Sequence, residues 1–142
     1  MNISLTEMYR YAEVGDIESL MAHIDRMRLA DPDWDIDLNS MALIAAAESN
    51  QLHTVEALID RGASLEGVSP RPWIRPLWKA AKRGHIEIVK VLVERGADIL
   101  ATDNRGQSAI DYARRYKRAD VLEYLERKVV DGSNNSLQAR RP

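Results

Sequence analysis

The chain of 142 residues contains no cysteine. That absence excludes a disulfide framework, a thiolate metal site and a cysteine nucleophile together, and it suits an intracellular protein. Phenylalanine is missing too, so every aromatic side chain is Trp or Tyr, three and five of them. These types join an apolar body to a polar tip and are enriched at interfaces. Long apolar runs are also lacking. Stretches such as Met41 to Ala47 fall far short of the roughly 20 residues that a bilayer crossing requires, so no membrane contact is expected. Met1–Glu7 shows neither a basic n-region nor an apolar h-region, which predicts no secretory signal and a cytoplasmic protein. With 45% hydrophobic and 30% charged residues, the composition is that of a folded domain rather than a disordered chain.

Catalytic patterns are missing as well. His23, His53 and His85 fall in separate segments, and there is no Gly-rich phosphate loop, HExxH or GxSxG. No enzymatic activity, cofactor or metal is expected. The acids of Asp31-Pro32-Asp33-Trp34-Asp35-Ile36-Asp37 alternate as in a calcium loop. An EF-hand, however, needs Gly at its sixth position and Glu at its twelfth, where this chain has Ile36 and Ala42.

What the chain does contain is self-similarity. Pro76-Leu77-Trp78 opens a short helical segment carrying Ala80-Ala81. A Gly84-His85 turn follows, then an apolar segment with Ile86, Val89, Leu92 and Val93, and a Gly96-Ala97-Asp98 stop. Gly15-Asp16, Asn50-Gln51 and Lys117-Arg118 align with that turn, at successive spacings of 35, 34 and 33 residues. Small residues precede each turn: Ala12, Ala46-Ala47 and Ala113. Leu52, Val55, Leu58 and Ile59 repeat the apolar stripe, the spacing of a core-facing helix. Gly62 and Gly96 fall where a left-handed helix stop is wanted.

This pattern resembles the ankyrin repeat, whose signature is a Thr-Pro-Leu-His-x-Ala helix start in a unit of about 33 residues. The resemblance spans residues 4–130. It implies an all-α, ankyrin-repeat α-solenoid of four helix-turn-helix units with short or irregular finger loops. The units are placed at about 4–34, 35–69, 70–102 and 103–130. The segment Asp131-Gly132-Ser133-Asn134-Asn135-Ser136 is expected to stop the last helix and leave 131–142 as a flexible tail. The end units depart from the pattern as caps do: His23 stands where the next units have Leu58 and Leu92, and Glu126 replaces Val93.

Two junctions deviate from the family's finger. Arg26 to Asp37 is expected to be an exposed acidic loop, with Trp34 in it. Val68 to Pro76 carries Pro70, Pro72 and Pro76, which stiffen the backbone and remove amide donors. That loop presents Arg71, Trp73 and Arg75, an interface hot-spot composition on a pre-organised backbone. The alternative for Trp73 is to cover the seam between units. Asp103 to Ile110 keeps the finger pattern, with Gly106 at its turn. In the family's Thr-Pro-Leu-His start, Trp78 replaces the histidine; a structural role is favoured for it, with an interface role as the alternative.

Charge is divided along the chain. Residues 1–69 hold 4 Lys and Arg against 13 Asp and Glu, a net −9, while residues 70–142 hold 16 against 9, a net +7. An acidic end opposite a basic end steers a partner and fixes its register. Partners of the family bind the concave face of finger tips and exposed first-helix residues. By position, the resemblance places Glu13, Val14, Asp37, Leu38, Glu48 and Ser49 on the acidic part of that face. On the basic part it places Arg71, Trp73, Lys82, Arg83, Asn104, Arg105, Arg115 and Tyr116, joined by the aromatics Trp78 and Tyr112. The expected function is non-catalytic recognition of a protein with an acidic patch, by a monomer, as a stoichiometric inhibitor of the immunity or antitoxin type. An adaptor that recruits without inhibiting is the alternative. Nucleic-acid association through the basic half is a further one, opposed by the chain's sequence pI of about 5.9.

Overall fold

The structure, a computed structural model, describes residues 4–33, 36–67 and 74–139, with side chains as far as Gly132 in the last helix. The described residues form eight helices and no strand. They are α1 (Leu5–Val14), α2 (Ile17–Ala30), α3 (Leu38–Glu48), α4 (Leu52–Asp60), α5 (Pro76–Arg83), α6 (Ile86–Glu94), α7 (Ala109–Arg115) and α8 (Ala119–Ala139). Consecutive helices pack as pairs. The first helices α1, α3, α5 and α7 lie in one row, and the second helices α2, α4, α6 and α8 in another. The all-helical expectation is met.

The pairs are set by their turns. Gly15, Asn50, Gly84 and Lys117, the four aligned positions, all have left-handed backbones with φ of 77°, 59°, 76° and 57°. Glycine adopts this conformation without a Cβ penalty, whereas lysine at Lys117 does so under strain. At Gly84 a Cβ would also stand 2.7 Å from Cδ of Arg118. That crowding has a purpose, because the residue after each later turn ties its unit to the one before. Gln51 Nε2 donates to the Glu13 carbonyl at 2.8 Å, His85 Nε2 to the Glu48 carbonyl at 2.9 Å, and Arg118 Nε to the Lys82 carbonyl at 3.0 Å. Three different side chains thus satisfy the same orphaned carbonyl at the end of a first helix. A parallel ladder joins the second helices, with Arg61 on Asp25 at 2.5 Å and Arg95 on Asp60 at 2.9 Å.

The core lies between the rows. Ala12, Ala46, Ala47, Ala80, Ala81 and Ala113 are fully buried, as are Val55, Leu58, Val89, Leu92, Val121 and Leu125. Leu52, Ile59, Ile86 and Val93 are only partly buried, and Ile88 is fully buried in their stead. His23 occupies the core position of Leu58 and Leu92. Its Nε2 donates to the Ser4 carbonyl at 3.0 Å and its ring meets Tyr11 edge-on at 5.7 Å.

Three expectations need correction. The stretch from Arg26 is not loop from its start: α2 runs 14 residues to Ala30, against 9 in α4 and α6. Met27 continues the Leu20–Ile24 stripe into the core and holds the added turn. Second, α8 does not stop at Asp131 but runs 21 residues to Ala139. A helix-interior Gly such as Gly132 costs only about 1 kcal/mol, and no proline interrupts the run. Third, Leu38 is no surface residue; it is 2% exposed and packs in the core from the first turn of α3.

Candidate partner-binding surface

The row of first helices ends in side chains that change sign along the molecule. α1 and α3 have no basic residue in their last turns and end near Glu13 and Glu48, whereas α5 ends in Lys82-Arg83 and α7 in Arg114-Arg115. Cations at helix C-termini interact favourably with the helix dipole, so part of this pattern serves stability. Glu48 is bound within the molecule, 3.2 Å from Arg83 Nη2 and 3.8 Å from Lys79 Nζ. Lys82 and Arg115 differ from it: neither pairs with a carboxylate among the described residues. Both lie over the Tyr116 ring, at 5.2 and 5.7 Å from its centroid, and Tyr116 is itself exposed. A tyrosine flanked by two uncompensated cations can receive an anionic group and supply apolar contact beside it.

At the other end of α5 the chain forms a recess of about 140 Å³ lined by Ile74, Arg75, Trp78, Lys79, Lys82 and Tyr112. Arg75 pairs with Glu66 through Nη1 and lies over the Trp78 ring at 5.5 Å. Trp78 is 4% exposed and 6.3 Å from the Tyr112 ring, so it is a wall of the recess and not an open contact surface. Its indole nitrogen is sealed from solvent and meets no hydrogen-bond partner among the described residues, and the same holds for Arg75 Nε.

The finger beside the recess is organised by Asp103. Its Oδ1 accepts from the amides of Arg105 at 2.8 Å and Gln107 at 2.9 Å, and its Oδ2 accepts from the Tyr112 hydroxyl at 2.5 Å. Burial raises the pKa of the Asp103 carboxyl. The hydrogen bonds from Tyr112, Gln107 and Arg105, with the Arg105 charge, outweigh it and leave the group below the ordinary carboxylate value. Burial, and then the bond to Asp103, push Tyr112 up to about 12.

The sequence-predicted residues therefore separate into groups. Arg75, Trp78, Lys82 and Tyr112 meet at the recess, and Lys82, Arg115 and Tyr116 meet beside it. Arg83 and Arg105 are exposed, Arg83 held by Glu48 and Arg105 at the finger. Asp37 is occupied as the N-cap of α3, accepting from the Ser40 amide at 3.0 Å and from the Ser40 hydroxyl. Trp34, Arg71 and Trp73 lie outside the described residues. Sequence reasoning missed Lys79, Glu66 and Asp103. Lys79 carried a signal, since residues 75, 78, 79 and 82 share one helical face. Glu66 carried none, being joined to Arg75 across a loop.

No helix among the described residues is long and apolar enough to cross a membrane, and no group of three or more His, Asp or Glu among them could hold a metal ion. Comparison with known proteins gives the arrangement its family. The family described as ankyrin repeats (3 copies) matches residues 10–103 and 43–136. Ankyrin repeat domain-containing protein 45 of Danio rerio is 46% identical over 50 residues, covering 35% of this chain and 22% of that protein. "Probable E3 ubiquitin-protein ligase XBOS31" of Oryza sativa subsp. japonica is 31% identical over 124 residues, 84% of this chain and 27% of that protein. Ankyrin repeat and SAM domain-containing protein 6 of Danio rerio is 35% identical over 89 residues, 63% of this chain and 12% of that protein. The chain thus spans well under a third of the length of each of these relatives. Repeats of this kind are protein–protein interaction modules, generally without catalytic activity. On the match across residues 10–136 and the paired helices that carry it, this chain belongs to the ankyrin repeat family.

Proposed function

We propose that this chain recognises an acidic surface on a protein partner through the basic half of its first-helix row, from α5 to the finger and α7. The observation that carries this reading is the Lys82–Tyr116–Arg115 cluster, two cations without a carboxylate among the described residues, both over one exposed ring. Exposed cations elsewhere in the molecule are partly consumed by ladders such as Arg61–Asp25 and Arg95–Asp60. The acidic front of the row, near Glu13, repels a wrongly placed partner and fixes its register. Occupying a working surface of the partner at one-to-one stoichiometry makes the chain an inhibitor; an adaptor would leave the partner's activity intact and admit a third component.

Capture from native lysate with the wild-type chain and with a Lys82→Glu, Arg115→Glu double variant tests the surface. The reading expects an acidic protein retained by the wild type and lost, or weakened about tenfold or more, by the variant. Equal retention by both would remove this face from the interaction.

A further inference from the structure

We propose that the outer face of α8 pairs with the same face of a second copy of this chain, the two helices antiparallel about an axis near Glu126. The monomer expected from the sequence then becomes one half of a two-fold pair.

The face is a core surface left open. Counted from the aligned turns, Leu122 stands where the earlier units have Leu20, Val55 and Val89, all fully buried. Val130 stands where two of them have Ala63 and Ala97, 7% and 8% exposed. In α8 Leu122 is only half-buried and Val130 is 57% exposed. With Ala119, Glu123, Glu126 and Arg127 they line a shallow groove built from this one helix. The helix also runs 21 residues against 9 in α6, so it projects roughly 18 Å past its neighbour at 1.5 Å per residue. A projection of about 12 residues is marginal in water without a packed face.

Head-to-tail stacking of a second copy does not fit the open face. Gln51, His85 and Arg118 each donate to a carbonyl of the unit before. The aligned residue of the first unit is Asp16, which caps its own helix and donates nothing. In the second-helix ladder Asp25 and Asp60 accept from Arg61 and Arg95. Arg127 takes the place of those acids in the last unit, and Arg26 is the arginine it would face. Like charges there oppose the stack.

Antiparallel pairing fits the charges. Residues 119–126 carry Asp120, Glu123 and Glu126 and no base, and Arg127 and Lys128 follow. A parallel copy would set acid on acid; an antiparallel one sets the acidic half of each helix on the basic turn of the other. About an axis near Glu126, Leu122 of each copy meets Val130 of the other. Glu126 at that axis carries its own counter-ion, Arg114 at 3.3 Å. Glu123 and Arg127, paired at 2.9 Å within one exposed face, can exchange partners across the axis at little cost.

Sedimentation velocity from about 10 μM to about 1 mM tests this, the range suited to a patch at the small end of protein interfaces. A monomer–dimer equilibrium is expected. Val130→Glu, at an exposed position, should weaken it about tenfold or more, and so should Arg127→Glu. Glu123→Arg combined with Arg127→Glu should restore it. Because the chain has no cysteine, single cysteines report direction. Glu126→Cys should cross-link to itself on mild oxidation, whereas Ala119→Cys, roughly 20 Å from its copy in the antiparallel pair, should not. A monomer throughout, or a dimer indifferent to Val130→Glu, would overturn the proposal. So would a double variant that fails to pair, efficient cross-linking of Ala119→Cys, or assemblies that grow beyond two copies. Lys82→Glu should pair as the wild type does; loss of pairing there would move the contact to the recognition face and overturn the α8 assignment, while partner capture tests that face separately.

Discussion

The starts of α3 and α5 are built on one apolar plan and finished differently. Leu43 and Leu77 occupy the same place in successive units, 34 residues apart, and both are buried to within 2%. Ahead of Leu43, α3 has an extra turn that closes on itself. Asp37 accepts from Ser40, and the Ser40 hydroxyl accepts from the Ser64 amide at 2.6 Å. The counterparts of Ser40 and Met41 in the next unit, Ile74 and Arg75, are not helical; α5 begins directly on Pro76, with no side-chain acceptor at its cap. In the first case the protein's own carboxylate fills the helix start. In the second no side chain caps the helix, and Pro76 at its first position has no N–H to satisfy. Packing is what makes units stack, so it repeats; a cap is worth only about 1 kcal/mol, and a unit can stack without one.

Perturbations can break that contrast at different depths. Leu43→Ala and Leu77→Ala should each cost about 2–5 kcal/mol in urea unfolding, because each leaves a core cavity; a large difference between them would mean that the two units do not share one packing plan. At the far end of α5, Gly84→Ala forces a Cβ into a left-handed turn and against Arg118. A loss of about 1–2 kcal/mol is expected from the backbone, with more if Arg118 cannot move, and thermal melting would reveal a smaller one. Asp37→Ala should cost about 1 kcal/mol through the lost cap of α3. No cap exists to lose at Arg75, so Arg75→Gln should leave α5 helicity unchanged by circular dichroism, apart from the Glu66 pair. Lys117→Gly runs the other way. Relief of a left-handed penalty of about 1–2 kcal/mol, less the entropy cost of glycine, should stabilise the fold by about 0.5 kcal/mol.

A last expectation concerns pH dependence. Tyr112 is pushed up to about 12 from an ordinary 10.0 by burial and by its bond to Asp103. The folded state holds that proton more tightly than the unfolded state does. Its contribution is therefore complete below the unfolded value near 10 and lost as pH rises to about 12. Tyr112→Phe should flatten the loss of stability in that interval; an unchanged slope there would remove the Asp103–Tyr112 pair as its source.

Much of this was legible residue by residue. The turn register, Gly15, Asn50, Gly84 and Lys117, could be read because a left-handed turn repeats wherever its unit repeats, and all four positions have positive φ. The buried alanines and leucines could be read because helical periodicity is local. Met27 was equally readable, as a continuation of the Leu20–Ile24 stripe, and its omission misplaced the end of α2. The candidate surface was less legible. Lys82, Arg115 and Tyr116 were singled out by charge and position, but charge alone did not separate them from Arg83, which Glu48 occupies, or from Asp37, which caps α3.

The sequence by itself determined the family pattern, the pairing of helices, the glycine turns and the sign change along the chain. Each depends on a spacing within or between units that a linear stack preserves. The tertiary structure alone decided which charges are spent and which donors are orphaned. Arg75 meets Glu66 across a loop, Tyr112 meets Asp103 across the finger, and Trp78 is enclosed by α7. Burial and pairing are properties of surroundings brought together by folding, and no residue carries them in its own identity.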